Sequence, residues 1–168
     1  LVVDCAEKLK DNKDIHFVIF GEGSEKEKLV KRIEESNLEN INIFPMQPME
    51  RVPEVYSLGD ASFVICKKGV GGGAFPSKAA TIMATATPVI ASFDIDSDLC
   101  KTVNEYKAGE CCEPENAEKA VEIINKLYND RELCAEYGKN ARNTACTKFS
   151  KETGLKKKVK VFEENAKK

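Results

Sequence analysis

Gly71-Gly72-Gly73 is followed within a few residues by Ser77-Lys78. Glycines let backbone N–H groups crowd around one point. The serine adds a hydroxyl and the lysine a compact positive charge. Pro76 before Ser77 suits a turn into a helix, and the spacing predicts a helix capped by Ser77. The N–H groups of its first turn would lack intrahelical acceptors and carry the positive end of the helix dipole. That combination holds phosphate. It is not a Walker loop, because the glycines and the lysine do not stand at the required offsets.

A second glycine turn, Gly21-Glu22-Gly23, follows an apolar run. It lacks the third glycine of a dinucleotide fingerprint, so a nicotinamide cofactor site is disfavoured. Asp94, Asp96 and Asp98 put three acids within five residues. They suit either a solvated turn or acceptors for sugar hydroxyls, and the glycine and further ligands of a calcium loop are absent. Neither a Ser/His/Asp nor a Cys/His arrangement can be assembled around the single histidine, His16, which reads as structural. No catalytic residue can be named from the sequence. The seven cysteines, Cys111-Cys112 adjacent among them, have no zinc spacing and read as reduced core thiols of a cytosolic protein.

The elements that must position these residues alternate. Residues 14–20, 42–44, 61–66, 88–91 and 108–112 read as strands, the last at an edge. Ser24 with Glu27 is a capping-box signature for a helix to about residue 36. Further helices are expected over 49–58 with Val52, Val55 and Tyr56 inward, and from Ser77. Ser97 opens another, with Leu99, Cys100 and Val103 on one side. One more runs to about 128 with Ala117, Val121, Ile124 and Tyr128 at helical spacing. Asp130 caps a helix to about 148, and Ser150 caps a last one striped by Leu155, Val159 and Phe162. Residues 1–10 are helical in pattern, with Val2, Cys5, Ala6 and Leu9 on one face, and begin so abruptly that a fragment of a longer protein is expected. Strands each followed by a helix mean a parallel sheet with right-handed crossovers: a Rossmann-like, three-layer α/β/α domain. Loops 21–24, 45–48, 67–77 and 92–97 then share the rim where such sheets bind ligands.

With 168 residues, one domain is the natural size. A net charge of −2, without a basic stripe, argues against nucleic acid. No apolar run approaches the roughly 20 residues that span a bilayer, and no signal peptide is visible. The basic run Lys156, Lys157, Lys158 and Lys160 reads as a solvated helix face.

In this order the chain resembles the C-terminal half of a GT-B, retaining, family-four (group 1) glycosyltransferase. The resemblance rests on Phe17 to Glu25, on Asn42 to Pro45 with Pro53 to Ala61, on Pro76-Ser77-Lys78 through Ala91, and on Gly138-Lys139-Asn140-Ala141-Arg142. It implies a single nucleotide-sugar-binding domain over 1–168, with the acceptor half absent and the helix 150–168 packing back on it. It implies a donor diphosphate at Gly21, Glu22, Gly23, Ser77 and Lys78, and a donor-sugar loop at Gly72, Gly73 and Ala74. Base and ribose would meet Met46, Gln47, Thr81, Ser97 and Asp98. Family members commonly carry two glutamates where this chain has Gly73 and Thr81, so sugar contacts must come from backbone N–H groups of residues 72–74 and from the acids at 94–98. The implied activity is transfer of a hexose from a UDP- or GDP-sugar to a hydroxyl acceptor in surface-polysaccharide synthesis. The sugar nucleotide is a substrate, and neither a cofactor nor an obligatory metal is expected. Partners would be the donor and an acceptor glycan or lipid-linked sugar. The setting would be the bacterial cytoplasm, with peripheral membrane association open to the full-length protein. The isolated domain is expected to bind donor weakly and catalyse nothing. The alternatives are a non-catalytic partner subunit of the same fold and, behind it, a sugar-nucleotide epimerase.

Overall fold

The structure is a computed structural model that describes residues 1–155 and 159. The chain runs α1 (Val2–Lys8), β1 (Phe17–Phe20), α2 (Lys26–Glu35), β2 (Ile41–Phe44), a 3-10 turn (Met49–Arg51), α3 (Val52–Ser57) and β3 (Ser62–Ile65). It continues α4 (Ser77–Ala84), β4 (Val89–Ser92), α5 (Asp98–Glu105), β5 (Gly109–Cys112), α6 (Ala117–Asn129) and α7 (Arg131–Lys148). All pairings are parallel, as expected, but they fall into two sheets: β1 with β2, and β3-β4-β5 with β4 central. β4 is buried at all four residues, which is why 88–91 reads as continuously apolar.

Helices cover both faces. Phe17, Ile41 and Ile90 share one core with Val3, Cys5 and Ala6 of α1 and Ala120, Ile123 and Leu127 of α6. Val64, Val89 and Ala91 share the other with Ile82 and Met83 of α4, Leu99 and Val103 of α5, and Ala141 and Ala145 of α7. The α/β/α layering of the sequence reading is therefore the observed one.

Local expectations fare unevenly. The side chains of Ser97 and Asp130 cap α5 and α7 as expected, and Asn116 Oδ1 caps α6 by accepting from Lys119 N–H at 2.9 Å. The Ser24–Glu27 capping box does not form, because α2 starts later with Glu25 at its N-cap and no side-chain bond there. The helix foreseen over 49–58 is a 3-10 turn plus the short α3. In α6 the buried stripe is Ala117, Ala120, Ile123 and Leu127, with Val121, Ile124 and Tyr128 on its flank. Val3 rather than Val2 is the buried valine of α1. At Ser150, Oγ accepts from Thr153 N–H at 3.2 Å and opens a helix over 151–155. Leu155 and Val159 of the expected stripe are exposed, and the rest of the last expected helix, residues 156–158 and 160–168 with Phe162, lies outside the described residues.

α7 fixes the far end of α4. A Cβ on Gly138 would stand 2.4 Å from the Ala86 carbonyl oxygen, so glycine lets the helix approach that backbone. One turn further, Arg142 donates to the carbonyl of Ala84 at the C-terminus of α4. This gives a structural role to the late segment 138–142.

All seven cysteines are free, and only Cys146 is exposed. Burial pushes the Cys5 thiol up to about 11 from 9.0 and raises Cys112 and Cys134 as well. These thiols hold their protons more tightly folded than unfolded. Between pH 9 and 11 the unfolded chain releases protons that the folded chain keeps, so stability should fall as pH rises through that window. Urea midpoints at pH 8, 9, 10 and 11 check this. Replacing Cys5 by alanine should flatten the slope.

Candidate functional site

The glycine loop between β3 and α4 is held rather than slack. Asp94, just after β4, accepts the N–H of Gly69 on Oδ1 at 3.0 Å and that of Gly71 on Oδ2 at 2.9 Å. Behind Gly71 lies the buried ring of Phe93, and a Cβ there would come within 2.6 Å of two ring carbons. Gly73 takes φ +66°, a left-handed conformation open to glycine. Further on, Ala74 N–H donates to Gly71 O at 3.0 Å, and Ala74 O accepts from Leu99 N–H at 3.3 Å. Loop, strand end and α5 are thus one hydrogen-bonded unit.

The N-cap of α4 is Pro76, not Ser77, with no side-chain capping bond. Proline at φ −64° is already shaped to enter a helix. Ser77 is displaced to the first helical position, exposed, so its hydroxyl is not consumed by capping. The N–H groups of Ser77 and Lys78 have no acceptor within the helix. Lys78 is exposed and in no ion pair among the described residues. Lys67 and Lys68, on the same loop, are equally exposed and equally without ion pairs there. Sequence reasoning passed over those two, although their place directly after a strand was a usable signal.

The other expected site residues divide. Gly72 and Gly73 keep exposed N–H groups without backbone acceptors, whereas the Ala74 N–H is committed to Gly71. Gly21 N–H donates to Phe44 O at 3.0 Å, extending the β1–β2 ladder, so it is withdrawn from any phosphate. The Glu22 carboxylate is held by Lys26 Nζ at 2.8 Å. Only the backbone of Glu22 and Gly23 is left to offer a donor there. Met46 and Gln47 lie at the β2 rim and, with Lys78, line one end of a cleft of about 790 Å³ that opens between β1 and β3. Thr81 sits one turn above Ser77 and bonds its Oγ1 back to Ser77 O at 3.2 Å. Asp98 is exposed at the start of α5.

Two expectations need correction. Ser97 is fully buried, and its Oγ accepts from Cys100 N–H at 3.2 Å, so it caps a helix and cannot reach a ribose. Asp94, expected as a sugar contact or a solvated turn acid, holds the glycine loop with one N–H on each oxygen and so shapes the site. His16 is exposed on the cleft wall, with Nε2 2.6 Å from Asn42 Oδ1. Among the described residues no group of three or more His, Cys, Asp or Glu stands together as a metal site, and no helix is long and apolar enough to cross a membrane.

A parallel α/β domain agrees with what sequence comparison finds. Residues 1–144 match the family of glycosyl transferases group 1, and the chain belongs to that family. Among curated proteins it is 33% identical over 164 residues to the poly(ribitol-phosphate) alpha-N-acetylglucosaminyltransferase of Staphylococcus aureus, covering 96% of this chain and 32% of that one. It is 28% identical over 156 residues to the putative colanic acid biosynthesis glycosyl transferase WcaI of Escherichia coli, covering 92% and 37%. The chain thus spans about a third of the length of the curated relatives it matches. A mutant of S. aureus TarM, crystallised with fondaparinux, alpha-GlcNAc-glycerol and UDP, superposes with a TM-score of 0.79 at 26% identity, covering 96% of this chain and 31% of that one.

Proposed function

We propose that residues 1–168 form the nucleotide-sugar-binding domain of a glycosyltransferase that moves a sugar from a nucleotide-diphosphate donor to a hydroxyl acceptor. The observation that carries this reading is the clamped loop at the start of α4. It presents the free N–H groups of Gly72, Gly73, Ser77 and Lys78, with the unpaired Lys78 ammonium beside them. Gly23 and Gly72 add support, because a Cβ on either would meet nothing and neither has a positive φ. The chain itself does not need glycine there, and close approach of a ligand to the backbone does.

In this reading the donor diphosphate rests on the α4 N-terminus. As the sugar–phosphate bond breaks, negative charge grows on the leaving diphosphate. The aligned N–H groups and Lys78 stabilise that charge without having to reorganise. Met46 and Gln47 face the base, and Thr81 and Asp98 remain candidates for ribose. UDP is the first nucleotide to test, since the TarM relative was crystallised with it. The acceptor would be a glycan or lipid-linked sugar, met by the full-length protein at the inner face of a membrane. No protein-bound metal is assigned, because among the described residues no three His, Cys, Asp or Glu stand together as a metal site. A non-catalytic partner subunit is the second reading, favoured by Gly73 and Thr81 standing where family members commonly carry glutamates. Donor binding without hydrolysis or transfer by the full-length protein would select it.

The test is calorimetric titration and thermal shift with UDP, GDP, ADP and their sugars. One of them should raise the melting temperature. Lys78→Ala should then weaken that ligand by about 1.5–3 kcal/mol, the cost of one charge-assisted contact, which is roughly tenfold or more in Kd. No stabilisation by any nucleotide at millimolar concentration sinks the proposal. Unchanged affinity in Lys78→Ala removes the lysine from it.

A further inference from the structure

Asp94 holds the front half of the glycine loop, at Gly69 and Gly71. Gly72 and Gly73 follow with no Cβ to pack, so their N–H groups are placed by what grips the chain after them. One grip is the bond from Leu99 N–H to Ala74 O at 3.3 Å. The other is a ring. Phe75 stacks on Phe149, with centroids 4.3 Å apart and planes 27° from parallel. Phe75 is half-buried against the core formed with α4, α5 and α7. Phe149, the C-cap of α7, remains 39% exposed. The backbone around it is fixed. Its own N–H donates to Ala145 O at 3.1 Å, and beyond it Thr153 Oγ1 donates back to Thr147 O at 3.2 Å. Next to it, Lys148 Nζ lies 5.1 Å from the centroid of the Tyr106 ring at the end of α5.

α7 thereby grips both ends of the unit made by the loop and α4. Arg142 donates to Ala84 O at the C-terminus of α4, and Phe149 meets Phe75 ahead of its N-terminus. The lengths agree. α4 has eight residues, about 12 Å, and the step from Arg142 to Phe149 along α7 is about 10 Å. We infer that Phe149 is a positioning residue for the glycine loop, holding Phe75 so that the N–H groups of Gly72, Gly73, Ser77 and Lys78 converge on one anion. This rests on the reading of that loop as the donor-phosphate site. Phe149 acts through Phe75 and not on the ligand. An aromatic stack contributes beyond the area it buries, whereas a ring left 39% exposed adds little to the core. Loss of Phe149 should therefore be felt in the loop before the fold. When the loop holds its binding geometry only part of the time, apparent affinity falls by that fraction. The worth of one stack bounds the fall at about tenfold.

Phe149→Ala and Phe149→Tyr in the 168-residue chain test this by two readouts. The first needs no ligand: heteronuclear NOE values of the Gly72, Gly73, Ala74 and Lys78 amides, measured by NMR. In the parent chain they should match those of β4. In Phe149→Ala they should fall well below β4, and Phe149→Tyr, which keeps the ring, should restore them. Melting temperature should move by less than about 3 °C in both variants. The second readout is calorimetric titration with UDP. Phe149→Ala should bind about three- to tenfold more weakly and Phe149→Tyr within about twofold of the parent. The double variant Phe75→Leu/Phe149→Ala should bind no more weakly than Phe75→Leu alone, because the two rings act as one contact. Unchanged loop amides in Phe149→Ala overturn the inference, as do altered amides with unaltered UDP affinity. A Phe149→Ala chain that fails to fold, or melts more than about 5 °C lower, also overturns it, since Phe149 is then a core residue. If the parent chain binds no UDP, the reading of the site as a UDP-sugar site fails, and the loop amides alone decide whether Phe149 holds the loop.

Discussion

Asp94→Ala is expected to release the loop before α4, lowering the affinity for whichever nucleotide the chain binds by at least about tenfold, and to cost about 2 kcal/mol of stability. The carboxylate accepts from Gly69 and Gly71, so its loss leaves two backbone donors without partners and frees the segment that presents the N–H groups of Gly72 and Gly73. Hydrogen bonds to a charged acceptor contribute more than neutral ones, though partial exposure of this group tempers that here. For a domain of this size the stability loss should appear as a fall of about 4–8 °C in melting temperature. Asp94→Asn should fall between the two, because its carbonyl can replace one oxygen while its NH₂ group meets the second N–H as donor against donor. Asp96→Ala is the control, since Asp96 is exposed and makes no hydrogen bond or ion pair among the described residues. Equal affinity in Asp94→Ala and wild type would remove the clamp from the site.

Gly109→Ala should be the most damaging single substitution for the fold, costing more than about 4 kcal/mol and leaving little soluble chain. Gly109 opens β5 at φ +150°, and a Cβ there would lie 1.9 Å from the Val89 carbonyl oxygen on β4. Both atoms are backbone in paired strands, so neither can move without breaking the β4–β5 register. Gly72→Ala offers the contrast: its Cβ meets nothing within 4 Å, so its melting temperature should stay close to that of wild type. Circular dichroism melts of the two variants side by side decide the point. A folded Gly109→Ala with a near-normal midpoint would contradict the close β4–β5 contact.

What this sequence determined by itself is whatever local chemistry encodes. The strands at 17–20 and 89–92 are legible because apolar runs between turn residues have few other uses in a chain of this composition. Asn and Asp caps at 116 and 130 act over three residues. Ordered motifs along the chain were enough to point to the family. What only the tertiary structure decided depends on partners far apart in sequence. Asp94 reads as one acid among three until the fold brings it to glycines 23 and 25 residues away. Ser97 reads as both the cap of a helix and a ribose contact until the fold buries it and leaves it the cap alone. The buried stripe of α6 is set by what α1 and the sheet present to it, not by its own periodicity, which fits two adjacent faces almost equally well. The division into two sheets has no local signature at all, since a strand's pattern records that it is buried without recording which neighbour takes up its second row of hydrogen bonds.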